Sequence, residues 1–152
     1  MTTPCDDVQA AAWEDVRPVA LPEGARASAG GFLLLEPEPR NVSLARQFVA
    51  EQAEDLDDDT RDTLALLTSE LVTNAVVHAR TEVRVSVVVT ETDVLVAVHD
   101  LDLGRREADG PERDGGRGLT MVEALAAATG SLQHRGGGKT CWFRLSRSGG
   151  AA

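Results

Sequence analysis

The chain has 152 residues, of which 42% are hydrophobic but only 3% aromatic, so it suits one globular domain with a core of Val, Leu and Ala. The formal net charge of -10 disfavours direct nucleic-acid binding, because phosphate backbones are held by clustered Lys and Arg. No apolar run approaches the ~18 residues needed to cross a bilayer, and the N-terminus lacks a secretory pattern, so we expect a cytoplasmic protein with no membrane partner.

The first part of the chain predicts a lead-in, one strand and one helix. Residues 1–29 are rich in Ala, Pro, Gly and acids without a sustained period, which is typical of a poorly ordered segment. The apolar run Phe32–Leu35, ended by prolines, predicts a strand. Apolar spacing over residues 41–56 predicts a helix whose N-terminal cap is Asn41 or Ser43.

A second helix begins in a run of acids and contains LLTSELVTNAVVHAR, residues 66–80. The segment is largely apolar, yet Glu70, Asn74 and His78 follow one another at intervals of four. Four helical residues turn the chain through about 400°, so the three side chains form one polar stripe. One interpretation is a solvated edge. The other is a polar cavity in which Asn74 offers its carbonyl oxygen to Mg²⁺ and Glu70 accepts a proton.

Two alternating strands follow, over residues 82–90 and 93–100, and the short link between them predicts a hairpin. Asp100 continues the apolar face of the second strand, where a carboxylate is costly unless it is hydrogen-bonded. A ligand N–H group, such as the exocyclic amine of adenine, would satisfy it. Alternatively, the strand ends at Val98 and Asp100 begins the loop, with Asp102 as a competing candidate.

Residues 101–116 form a charged, Gly-rich segment that predicts a functional or disordered loop. A helix then opens at a glycine turn that suits phosphate, although glycines also simply end loops, and we expect it to end at Gly130. A glycine hairpin joins the last two strands. It is not a P-loop, because residue 133 is Gln133 and no helix follows.

The order of elements predicts an α+β fold. We expect a two-layer sandwich in which about three helices cover one face of a mostly antiparallel sheet, spanning residues 30–146 and followed by a tail, residues 147–152. The three histidines are scattered without HExxH spacing, and Cys5 and Cys141 form no CxxC pair, so the sequence does not indicate a zinc site.

Four segments, taken in order, resemble the motifs of the Bergerat-fold (GHKL) ATPases, a superfamily that includes gyrase B and the histidine kinases. SELVTNAVVHA is similar to their N box, VAVHDLDLG to their first glycine box, GGRGLTMVEALA to their second, and GGKTCWFRL to their closing strand. The closest likeness is to small bacterial anti-sigma factor serine/threonine kinases and related ATP-binding regulators. The resemblance covers roughly residues 30 to 146 and implies their histidine-kinase-like ATPase fold.

The resemblance also implies roles for single residues. Asn74 would bind Mg²⁺, Glu70 would be the general base, and Asp100 would bind the adenine amine. The remaining expected nucleotide-binding residues are His78, Gly104, Arg113, Gly116, Arg117, Gly118, Leu119 and Thr140. The first glycine box departs from its usual D-x-G-x-G form, because Asp102 replaces the first glycine. Strict strand alternation also turns Thr140 away from the apolar face of the last strand.

The expected cofactors are ATP and Mg²⁺, and the first functional hypothesis is a protein serine/threonine kinase. It would phosphorylate an anti-sigma factor antagonist protein, sequester a sigma factor, or do both. The alternatives are a nucleotide-binding interaction module without kinase activity and a protein-binding domain that binds no nucleotide. The resemblance allows a two-fold dimer, which nothing in the sequence shows independently.

Overall fold

The computed structural model describes residues 26–78, 81–100, 116–134 and 138–147, with only the backbone of 116–120. Within these ranges the elements are β1 (Ala27–Leu35), a 3₁₀-helix (Pro39–Asn41), α1 (Val42–Gln52), α2 (Asp58–His78), β2 (Val83–Thr90), β3 (Asp93–Asp100), α3 (Gly116–Leu125), β4 (Ala128–Gln133) and β5 (Lys139–Ser146). The five described strands form one sheet in the order β1-β2-β3-β5-β4, and each neighbouring pair is antiparallel. The predicted α+β fold, with three helices, is confirmed.

The core lies between the helices and one face of the sheet, which we call the inner face. Alternate residues of each strand point to this face, as the period of two in β2 and β3 predicts. The fully buried members with the largest side chains include Phe143 of β5, Val49 of α1, and Leu64, Leu67 and Leu71 of α2. Burying each such side chain contributes roughly 1.5–3 kcal/mol.

The helix α2 begins at a side-chain cap. The backbone N–H of Thr60 donates to Asp57 Oδ2 at 3.2 Å, and the Thr60 hydroxyl donates to Asp57 Oδ1 at 2.6 Å. Asp58 and Asp59 fill the first turn, where carboxylates favour the positive end of the helix dipole. The helix is less buried than its composition suggests, because Leu66 and Val77 are 40% and 70% exposed.

The predicted hairpin between β2 and β3 is confirmed, and its turn is held by side chains. Asp93 N donates to Thr90 Oγ1 at 2.9 Å, and the Thr90 hydroxyl donates to the Asp93 carbonyl at 3.2 Å. The buried Asp93 carboxylate also accepts from Arg144 Nη1 at 2.9 Å. These contacts set the register that pairs Val83 with Asp100 at the far end of the hairpin.

Two boundary predictions are wrong. Strand β1 begins at Ala27 rather than Phe32, because its backbone pairs with β2 along its whole length. The helix α3 ends at Leu125, and Gly130 lies within β4, where an added Cβ would come within 2.9 Å of the Trp142 ring. Glycine is therefore needed there because an aromatic ring lies across the strand, and not because a helix stops.

Asn41, one of the two predicted caps, occupies the N-cap position of α1, whereas Ser43 lies inside the helix. The Asn41 amide donates to the Glu36 carbonyl, and the Ser43 hydroxyl donates to the Arg40 carbonyl, so neither side chain accepts from an N–H of the first turn. The preceding 3₁₀-helix leads directly into α1. None of the described helices combines the length and the hydropathy that crossing a membrane requires.

Candidate functional site

A small cleft lies between the C-terminal half of α2 and the neighbouring ends of β3 and β5. Its cavity volume is about 10 Å³, close to the space of a single water molecule. Four of its lining residues are polar or charged: Asn74, His78, Asp100 and Lys139. The other four, which supply apolar or weakly polar walls, are Leu71, Ala75, Val98 and Cys141.

The helix α2 carries Asn74 and His78 to the cleft. Their separation of four residues places both on one face of the helix, and both are partly buried. His78 is the last residue of α2, where a basic group is favoured by the helix dipole. The polar stripe of this helix therefore faces a cavity at its C-terminal end, and the solvated-edge interpretation does not hold for these two residues.

Asp100 is the last residue of β3 and lies on the inner face, so the strand interpretation of this residue is confirmed. It is 6% exposed. Burial removes water from a carboxylate, and each remaining lone pair then needs a donor. A carboxylate held at a strand end inside a narrow cleft is suited to accept a hydrogen bond from a ligand.

Lys139 is a site residue that the sequence predictions missed. It is the residue of β5 directly opposite Asp100 in the antiparallel register, and it is 8% exposed. The sequence did contain an indication of its position, because Lys139 is the single lysine of the chain and shares a strand face with Cys141 and Phe143. Finding it required the register between two strands that lie 39 residues apart in sequence, which no local pattern gives.

Glu70 shares the helix face of Asn74 but does not line the cleft. It lies one turn towards the N-terminus, about 6 Å along the helix axis, and is partly buried. The structure thus brings Asn74, His78 and Asp100 together and leaves Glu70 beside them. Its role as a general base stays a prediction.

Thr140 lies on the outer face of the sheet and does not line the cleft, so the structure does not bring it together with Asn74, His78 and Asp100, and its contact with a nucleotide stays a prediction. Strand alternation explains this position, since Lys139 and Cys141 occupy the inward positions on either side. Its hydroxyl oxygen lies 2.5 Å from His99 Nδ1 and 2.6 Å from His134 Nε2. A hydroxyl donates only one hydrogen, so at least one of these imidazoles donates to Thr140.

His99 is held neutral within this cluster. Burial, with the nearby positive charges of Arg84 and His134, lowers its pKa from 6.5 to about 3. The His99 side chain is 1% exposed. It lies on the opposite face of β3 from Asp100, the next residue along the strand. No sequence pattern indicated this cluster, because its members come from β3, β5 and the residue that follows β4.

The remaining predicted site residues are only partly described. Gly116, Gly118 and the intervening backbone form the first turn of α3, which packs against α2 and buries Val122 in the core. The side chains of Arg117 and Leu119 lie outside the described atoms. Gly104, Arg113 and the rest of the charged loop, residues 101–115, lie outside the described residues altogether, so their roles stay predictions.

The chemistry of the residues that line the cleft suits a purine nucleotide and its metal, although the cleft must widen to admit the base. The Asp100 carboxylate can accept from a base N–H, and the apolar walls can contact the faces of the ring. Asn74 offers a neutral amide oxygen to Mg²⁺, which is commonly held by one or two protein ligands together with substrate phosphates. The described residues hold no group of three or more His, Cys, Asp and Glu side chains, so they do not provide an all-protein metal cage.

A larger depression of about 460 Å³ lies elsewhere, along β1 and β2. Its only ionisable lining residue is Arg84, whose guanidinium carbon stacks 3.9 Å from the centre of the Phe32 ring. The chemistry that the sequence analysis predicted is therefore found in the smaller cleft.

Comparison with known proteins agrees with this geometry. The family model of the histidine kinase-like ATPase domain matches residues 35–145, which is well over half of the chain and includes every element of the cleft. No curated protein matches the chain significantly. The chain belongs to the histidine kinase-like ATPase domain family.

Proposed function

We propose that the protein is a Mg·ATP-binding regulator that acts as an anti-sigma factor serine/threonine kinase. Its target would be an antagonist protein, and it could also sequester a sigma factor. The observation that carries the nucleotide part of this proposal is the cleft itself. It joins Asp100, which can read a base, to Asn74, which can hold a metal, within a domain of an ATPase family.

The kinase part rests on the relation of Glu70 to Asn74. Glu70 would accept the proton of a partner's serine or threonine hydroxyl while that oxygen attacks the γ-phosphorus of ATP and ADP leaves. Asn74 would position Mg²⁺, which supplies charge neutralisation at the phosphates when it is bound. A separation of one helical turn places the Glu70 carboxylate on the same face of α2 as Asn74 and next to it.

A second candidate, a nucleotide-binding interaction module without kinase activity, is favoured by one observation. Glu70 lies outside the lining of the cleft, so a retained carboxylate does not by itself imply phosphoryl transfer. The two candidates share the nucleotide site and differ only in the chemistry at Glu70.

Calorimetric titration of Mg·ATP into wild-type protein and Asp100→Asn tests the nucleotide site. We expect binding to the wild type and a loss of roughly 10-fold or more in affinity for Asp100→Asn, because a charged hydrogen bond to the base is removed. Thr73→Ala, which alters an exposed residue beside Asn74, is the matched control and should bind like the wild type. A folded wild type that does not bind ATP would overturn both candidates.

Phosphate transfer from [γ-³²P]ATP separates the two candidates. The acceptor pool is an extract of the organism's own cells whose kinases have been inactivated by heating, and the readout is acid-stable phosphoserine and phosphothreonine. We expect labelling by the wild type and by Glu51→Gln, an exposed glutamate on α1, and a loss of at least ~100-fold with Glu70→Gln. Equal labelling by Glu70→Gln would remove Glu70 from the mechanism. Binding without labelling by the wild type would favour the module.

A further inference from the structure

We infer that Lys139 reads the purine base together with Asp100, by donating a hydrogen bond to ring nitrogen N1 while Asp100 accepts from the exocyclic amine. This inference deepens the proposed function and rests on its nucleotide site. It makes Lys139 a specificity-determining residue of that site.

The first support is position. Asp100 and Lys139 are directly opposite each other on neighbouring antiparallel strands, where Cβ atoms stand about 4.5–5.5 Å apart. Both side chains line the same cleft, and they are 6% and 8% exposed. A base that reaches one of them therefore comes within range of the other.

The second support is chemical. A carboxylate only accepts hydrogen bonds and an ammonium only donates them, so the pair presents an acceptor beside a donor. The edge of adenine presents the complementary pattern, an N6 amine that donates beside an N1 nitrogen that accepts. Asp100 alone would read only the amine, whereas the pair reads two adjacent positions of the ring.

The third support is the cost of burying a cation. Lysine is among the residues least often buried, because its ammonium is strongly hydrated. The next residue, Thr140, faces the opposite side of the sheet and cannot serve the cleft. Lys139 is the residue of β5 that lies opposite Asp100 and faces the cleft. Its identity therefore determines which second contact a base bound to Asp100 can make.

The test compares ATP with 1-deaza-ATP, in which N1 is replaced by C–H and the amine and phosphates are unchanged. Calorimetric titration of both nucleotides with Mg²⁺ into the wild-type chain needs no variant, so it is independent of any folding defect. We expect 1-deaza-ATP to bind roughly 10- to 100-fold more weakly, the usual effect of losing a hydrogen bond from a charged donor. Equal affinities would overturn the inference.

The variant Lys139→Met locates the effect, since methionine keeps an unbranched side chain without the donor. We expect this variant to bind ATP and 1-deaza-ATP with similar affinities, while Arg26→Met, which removes one exposed positive charge outside the cleft, keeps the wild-type difference. If Lys139→Met weakens the binding of ATP and of 1-deaza-ATP by the same factor, so that the wild-type difference remains, Lys139 acts on the phosphates and the inference fails. If the wild type binds no ATP, the proposed function fails too; ATP binding without discrimination would refute only the role of Lys139.

Discussion

The buried His99 should make the stability of the protein depend on pH in a window where carboxylates are still mostly ionised. The folded-state pKa of His99 is lowered from 6.5 to about 3, because burial and nearby positive charges disfavour the imidazolium. Below pH 6.5 the unfolded chain therefore binds a proton that the folded chain does not. The free energy of unfolding falls as the pH decreases, and this contribution levels off only as the pH approaches 3.

The size of the effect follows from one proton. A difference of one pH unit corresponds to about 1.36 kcal/mol per proton taken up on unfolding. Between pH 7 and pH 5 the unfolded imidazole goes from about one-quarter protonated to nearly fully protonated, while the folded one stays neutral. Integrating over this interval gives a loss of about 2 kcal/mol from His99 alone.

Urea denaturation at pH 7, 6 and 5 measures this loss, with His99→Asn as the matched variant. An asparagine amide can still form a hydrogen bond with the Thr140 hydroxyl but does not titrate. We expect the variant to be less stable at pH 7 and to lose about 2 kcal/mol less than the wild type on going to pH 5. Parallel pH dependences for the two proteins would show that His99 is not held neutral.

Two further predictions concern packing and the turn between β2 and β3. Gly130→Ala should lower the unfolding temperature, at a cost of about 1–3 kcal/mol, because its Cβ would lie 2.9 Å from the Trp142 ring. Gly31→Ala, whose Cβ has a nearest contact of 3.5 Å, should be neutral or slightly stabilising. Thermal denaturation compares the two variants directly. In urea denaturation, Asp93→Ala should cost about 1–3 kcal/mol, because it removes the buried carboxylate and leaves the partly buried Arg144 guanidinium without this ion pair. Glu38→Ala, from an exposed pair, should change stability by less than about 0.5 kcal/mol. Equal effects within either comparison would contradict the reasoning.

The sequence predicts the sheet well where alternation is strong and the side chains are β-branched. In β2 and β3 every second residue is valine, so both the strands and their buried face follow from the period of two. The extension of β1 to Ala27 could not be predicted, because Ser, Ala and Gly carry little strand propensity. Its first residues are paired because β2 continues to Thr90 and offers backbone partners, and pairing is a property of two segments rather than one.

The site shows the same division between local and non-local information. The spacing of Asn74 and His78 is local, and the helix period alone aligns them. The pairing of Asp100 with Lys139 depends on the register between β3 and β5, which is set partly by the Asp93 contacts at the opposite end of the hairpin. A motif likeness pointed to Thr140, strand alternation turned it away from the apolar face, and the register then showed that its neighbour Lys139 lies opposite Asp100 in the cleft.

The ends of β3 and β5 carry buried polar groups on both faces, and this arrangement favours a binding site over a purely structural sheet end. Two consecutive pairs, His99 with Thr140 and Asp100 with Lys139, alternate between the outer face and the cleft, and all four side chains are less than 9% exposed. A structural strand end could place such groups in water at no cost, whereas burying them is unfavourable unless each is hydrogen-bonded. The outer pair satisfies part of this requirement within the protein, through the Thr140 hydroxyl. On the inner face Asp100 and Lys139 line the cleft with an acceptor beside a donor, so a ligand that carries the complementary donor and acceptor can bind to both.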